Sequence, residues 1–181
     1  CAGTRIPVII KETGSGISAT TAKLCLGAGA TAIDIGGAGG TSWAAVESVR
    51  ADRSRSDKSR QKRDLGENFA DWGIPTVVSL CEVLTTGAPV IASGGIRSGL
   101  DIAKGLALGA DLCGMALPLL GPALESDEAL CRAIDTIHRQ LDVAMFLTGS
   151  ARISDLRKAR MFVTGRTRQM IGKDNPVRTR N

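Results

Sequence analysis

The sequence contains no tyrosine, only 3% aromatic residues, and a single histidine, His138. One imidazole cannot supply a Ser-His-Asp triad or a histidine-based metal cluster from this chain. His138 follows Ile137 inside an amphipathic helical pattern, away from every strand end, so it is assigned no catalytic role. The shortage of aromatics also removes the stacking platforms on which proteins read single-stranded nucleic acid. Cys1, Cys25, Cys81, Cys113 and Cys131 are odd in number and never form a CxxC pair. That pattern argues against a disulfide framework or a zinc site and for reduced, packed thiols. No apolar run reaches the about 18 residues of a membrane span, and the start lacks the basic, apolar and small-residue order of a signal peptide. The expected location is cytoplasmic, without membrane contact. Because the first residue is cysteine, the chain is expected to continue a longer protein upstream.

Glycine is abundant, at 22 of 181 residues, and the net charge is +5. The positive excess is local, lying in RADRSRSDKSRQKRD and in the tail from Arg160 to Arg180. With no nucleic-acid module to accompany it, this pattern suits small anionic phosphates and gives no nucleic-acid partner. Arg50, Arg53, Arg55, Lys58, Arg60, Lys62 and Arg63 stand among serine and aspartate, which predicts a basic mobile loop at about 50–66. The stretch at about 150–181 is expected to be a C-terminal helical tail.

Four short apolar runs recur, IPVIIKETG, ATAIDIGGAGG, PVIASGGIRSG and DLCGMALP. Each is nearly continuous in Val, Ile, Ala and Leu, the mark of a parallel strand covered on both faces. Helical patterns lie between them. Ser18 precedes a stripe of Ala22, Leu24 or Cys25, and Ala28 that Gly29 stops. Ser98 and Asp101 are spaced as a capping box before IAKGLALGA, which Gly109 ends. A helix is predicted from roughly Val77 to Thr86, and Ser126 opens a longer one whose Leu130, Ile134, Ile137, Leu141 and Met145 recur at spacings of three and four. The fold class is α/β, with about four βα units. A closed (β/α)8 TIM barrel needs eight strands and about 250 residues, so this chain has the content of half a barrel. An open doubly wound sheet is the alternative.

In a barrel, chemistry gathers at the C-terminal ends of the strands. Those ends carry Lys11 and Glu12, Gly36 to Ser42, Ser93 to Ser98, and Gly114 to Leu117. Glycine lets backbone N–H groups approach an anion, and a following helix N-terminus adds positive partial charge, so the last two turns are phosphate-ready. Lys11 closes an apolar run, where its charge must reach the barrel mouth or pair with Glu12 or Asp34. Thr41 and Ser42 offer hydroxyls at the glycine-rich turn. Trp43 and Glu47 share a face if their segment is helical, Trp43 as a pocket wall and Glu47 as a candidate general acid or base.

Taken in order, PVIIKETGSGIS, AIDIGGAGGTSWAAVE, FADWGIPT, IASGGIRSGLDIAKGLALGAD and CGMALP resemble the type 2, FMN-dependent isopentenyl-diphosphate isomerases. The terminal LTGSARISDLRKARMFVTGRTRQMI is similar to that family's C-terminal segment, so the resemblance covers nearly the whole chain. It implies that residues 1–181 are the C-terminal half of a (β/α)8 TIM barrel that binds reduced FMN, uses Mg2+ with NADPH as reductant, and interconverts isopentenyl diphosphate and dimethylallyl diphosphate. By the same resemblance Lys11 and Thr41 contact the flavin. Gly94, Gly95, Ile96, Arg97, Ala116 and Leu117 form the phosphate turns, and Trp43 and Glu47 lie at the catalytic centre. The family's metal carboxylate belongs to the N-terminal half, so no metal ligand is expected in this chain. The isolated half is expected to be inactive without its N-terminal partner, and the intact protein to be a homo-oligomer. An FMN-dependent oxidoreductase of the 2-hydroxy-acid oxidase or IMP dehydrogenase type is the alternative, although ASGGIR lacks the histidine cluster that hydroxy-acid chemistry requires.

Overall fold

The computed structural model describes residues 3–52 and 56–171. In chain order the elements are β1 (Ile9–Lys11), α1 (Ala19–Gly27), β2 (Ala32–Asp34), α2 (Trp43–Asp52), α3 (Asp57–Asn68), α4 (Thr76–Leu84) and β3 (Val90–Ala92), then α5 (Gly99–Leu108), β4 (Leu112–Cys113), α6 (Leu117–Glu125), α7 (Asp127–Leu147), α8 (Ile153–Leu156) and α9 (Gly165–Met170). The four strands form one parallel sheet in the order β1-β2-β3-β4. A doubly wound sheet reverses its strand order at a switch point. This order never reverses, so the sheet is half of a barrel.

The caps fall where the sequence places them. Ser18, Ser98 and Ser126 accept the N–H groups of Thr21, Asp101 and Ala129, each such cap contributing about 1 kcal/mol. At α5 the Asp101 carboxylate reaches the N–H of Arg97, one residue before the cap. Gly109 then ends the helix with a φ of +123°, a conformation that costs glycine little.

The basic segment departs from the expected loop. Residues 53–55 lie outside the described part, but Asp57–Asn68 form α3. Ser56 caps α3, and the charges alternate in sign at helical spacing, with Arg60 facing Asp57 and Arg63 facing Glu67. Gly66 fits against the Ala44 carbonyl and Ser48 of α2, where a Cβ would stand 2.5 Å from the carbonyl oxygen. Composition registers the charge but not this close helix crossing. Of the expected helical tail, α8 and α9 are seen, and positions from 172 onward lie outside the described residues.

Register sorts the side chains between the two faces of the sheet. Ile10, Ile33, Ile35 and Val90 face the helices, where Leu80, Cys81 and Val83 of α4 complete the core. The opposite face carries Ile9, Ile91 and Leu112, and above them Lys11, Asp34 and Ser93 at the strand ends. Ile9 and Leu112, on the two edge strands, remain 52% and 62% exposed.

Ser79 is the polar exception inside the core. Its hydroxyl donates to the Ile17 carbonyl at 2.7 Å and accepts the Ile17 N–H at 2.9 Å. Ser79→Ala strands both backbone groups in a dry site, and urea unfolding is expected to show a loss of about 2 kcal/mol.

Candidate functional site

The loops that leave β1, β2 and β3 and the FADWGIPT segment before α4 are stitched edge to edge. Gly16 donates to the Gly36 carbonyl, Ile74 to that of Ser15, Ala38 to that of Ile74, and Gly37 to that of Ser93. Thr76 adds a side-chain bond of 2.6 Å to the Gly94 carbonyl. Thus FADWGIPT builds the site from beneath: its Ile74 joins two loops and its Thr76 holds a third.

Above this floor lies a cleft of about 600 Å³ lined by Lys11, Glu12, Thr13, Gly14, Asp34, Gly36, Gly40, Thr41 and Trp43 from the first two strand ends. Ser93 to Arg97 and Gly114 to Leu117 line it from the other two. Every expected cofactor residue is therefore present in one place: Lys11, Thr41, Gly94, Gly95, Ile96, Arg97, Ala116 and Leu117. Of the two expected catalytic residues, Trp43 lines the cleft and Glu47 does not. Glu47 sits one turn further along α2 and accepts a 2.7 Å ion pair from Arg50.

The turn after β3 shows why its residues are glycine. Gly94 and Gly95 have φ of +100° and +77°, and a Cβ on Gly95 would lie 2.2 Å from the Gly39 carbonyl oxygen. Among the described residues, the N–H groups of Gly95, Ile96, Met115 and Ala116 donate to no carbonyl or side chain. These are unused donors beside the start of α6, the arrangement that holds a phosphate. The Arg97 guanidinium donates to the carbonyls of Gly39 and Gly95 at 3.1 and 3.2 Å. It clamps two loops in place while still bordering the cleft.

Lys11 resolves the choice between mouth and ion pair by doing both. Its ammonium donates to Asp34 Oδ2 at 2.8 Å and to Ser93 Oγ at 3.2 Å, and the Ser93 hydroxyl donates in turn to Asp34 Oδ1. Glu12 is not the partner; it accepts the Ser15 N–H. Asp34 is one of the two partners expected for Lys11 and Ser93 opens one of the expected strand ends, and the strand register brings the three together. Thr13 and Met115 also line the cleft, although neither was among the residues expected to contact the cofactor.

Two thiols, Cys81 and Cys113, are packed into the interior. Burial pushes Cys81 up to about 12 and Cys113 up to about 11, so both are protonated and poorly nucleophilic near neutral pH. Among the described residues no three His, Cys, Asp or Glu side chains gather to hold a metal ion. No helix there is long and apolar enough to cross a membrane.

Over 98% of its length the chain is 70% identical to a protein from Methanoregula boonei named isopentenyl-diphosphate delta-isomerase, of which it covers 49%. A protein of the same name from Methanosarcina mazei is 50% identical over 94% of the chain, which covers 46% of that protein. The chain thus spans about half the length of the curated relatives it matches. The fold is similar to that of mandelate oxidase bound to benzoyl-formic acid, with a TM-score of 0.61 at 23% identity over 90% of this chain and 41% of that one. A model of the family described as FMN-dependent dehydrogenase matches residues 1–163. Because that match runs from the first residue to beyond α8 and leaves no strand of the sheet outside it, the chain belongs to the FMN-dependent dehydrogenase family.

Proposed function

We propose that this chain is the C-terminal half of an FMN-dependent isopentenyl-diphosphate isomerase, and that it supplies the cofactor's phosphate cradle and one wall of the active site. The observation that carries the proposal is the 70% identity, over almost the whole chain, to a protein of that name. The cleft fits FMN on its own terms: unused N–H donors in two glycine turns, a helix start and a lysine lie within one concavity of about 600 Å³, the size that ligand sites usually have.

Gly95, Ile96, Met115 and Ala116 would hold the phosphate through their N–H groups, with the first turn of α6 adding positive potential. Lys11 would hold the electron-rich edge of the ring, and Thr41 would donate its hydroxyl to it. When bound, reduced FMN supplies the proton-transferring centre for an allylic shift without net oxidation of the substrate. Trp43 walls the cleft and keeps water from the apolar end of a bound diphosphate. For Glu47 to hold or move a proton it must first release Arg50.

Among the described residues no three histidine, cysteine, aspartate or glutamate side chains gather to hold Mg2+. In our reading the metal ligands and the remaining flavin contacts come from the other half of a homo-oligomeric cytoplasmic protein. The isolated chain is then inactive.

The test uses the full-length protein loaded with FMN, reduced by NADPH or dithionite, in buffer containing Mg2+. Conversion of isopentenyl diphosphate into dimethylallyl diphosphate, followed by NMR, is the expected result. Oxidation of a 2-hydroxy acid or of a purine nucleotide with no isomerisation overturns the reading.

A further inference from the structure

We propose that Asp34 is a positioning residue for Lys11, and that its negative charge sets how strongly Lys11 favours the reduced over the oxidised form of the bound flavin. This rests on the functional reading above, because it needs Lys11 to face the flavin ring.

Three adjacent strands each contribute one member to a closed ring of hydrogen bonds. Lys11 ends β1, Asp34 ends β2, and Ser93 follows β3. Both carboxylate oxygens are engaged: Oδ2 takes the ammonium at 2.8 Å, and Oδ1 takes the Ser93 hydroxyl and, at 3.4 Å, the Gly36 N–H. The exposures are unequal. The Asp34 side chain is 12% exposed, against 53% for Lys11. Both side chains border the cleft, and the cation is the more open of the two.

An ammonium has three N–H donors. Two are committed, to Asp34 and Ser93, which leaves one and fixes its direction. Rigid presentation of one donor by a side chain with four rotatable bonds requires such a brace. The charge count adds a second consequence. A ring bound against Lys11 alone would meet a full positive charge, whereas against the Lys11–Asp34 pair it meets a dipole. Negative charge on the reduced ring is then favoured only moderately. A site that must keep its flavin reduced, and also let it exchange a proton, has reason to avoid a bare cation.

The test is the flavin midpoint potential of the full-length, FMN-loaded protein, measured by reductive titration against a reference dye. Asp34→Asn keeps the shape and removes the charge. It is expected to favour the reduced form by about tenfold in relative affinity, a rise of about 30 mV for a two-electron couple. Lys11→Met is expected to move the potential the opposite way. If Lys11→Met shifts the potential and Asp34→Asn does not, Asp34 is a structural strut and the inference is wrong. If neither variant shifts it, Lys11 does not face the ring, and the inference falls together with the reading beneath it. Should Asp34→Asn fail to fold, Ser93→Ala takes its place. That change keeps both charges but leaves the carboxylate less neutralised, so the potential is expected to fall by less than in Lys11→Met. An unchanged potential in Ser93→Ala counts against the inference.

Discussion

Gly95→Ala is expected to abolish practical FMN retention in the full-length protein, weakening binding by on the order of 100-fold or more. Two costs combine at this position. A residue with a side chain at φ +77° is strained by about 1–2 kcal/mol. The new Cβ would also stand 2.2 Å from the Gly39 carbonyl oxygen, a backbone atom that cannot swing aside. One of the two loops must move, and both line the cleft, so relaxing the clash spoils the cradle. The total loss of stability is expected to reach about 3 kcal/mol, the range reserved for clashes and backbone strain. Fluorescence titration with FMN and urea unfolding measure the two effects separately. Gly121→Ala is the matched control: it adds the same methyl within α6, where nothing lies within 4 Å, and both readouts should stay near wild type. Normal FMN affinity in Gly95→Ala would show that the turn after β3 is not the cradle.

Lys11→Met is the second large effect, and it falls on rate more than on stability. Loss of one preorganised donor at an active site costs on the order of 100- to 1,000-fold in kcat. FMN content should stay within a few-fold of wild type, because the phosphate turns are untouched. The stability cost is decided by exposure. Losing one partner of a fully buried ion pair costs several kcal/mol. Here the lysine is half exposed, and Asp34 keeps its bonds from Ser93 and Gly36, so about 1 kcal/mol is expected. The double variant Lys11→Met with Asp34→Asn should recover that stability without recovering the rate. Steady-state kinetics and thermal melts on the three variants separate the roles. A single Lys11→Met variant with undiminished kcat would remove Lys11 from the mechanism.

Much of the fold was legible because its signals are local. Buried parallel strands announce themselves as short apolar runs, and Ser18, Ser98, Ser126 and Gly109 act within one turn of their own positions. The glycine turns that line the cleft were legible for the same reason, since glycine between a strand and a helix is a local pattern. The helix α3 was read as a loop from its charge, although its Ser56 cap and its Asp57–Arg60 and Arg63–Glu67 spacings are local; the packing of Gly66 against Ser48 across a helix crossing is what composition cannot show. Glu47 was legible as an acid on the same helix face as Trp43, but not its ion pair with Arg50 on the exposed side of α2.

The sequence by itself determined the βα order, the helix boundaries at their serine caps, and which loops carry glycine, since each depends on residues within a few positions of one another. Only the tertiary structure decided that Lys11 pairs with Asp34 and not with the adjacent Glu12, and that Ser93, from a strand end 82 residues away in sequence, closes the ring. It also decided that Trp43 reaches the cleft while Glu47 does not. Hydrogen bonds and ion pairs act over a few ångströms of space, and parallel register alone brings residues so distant in sequence to that range.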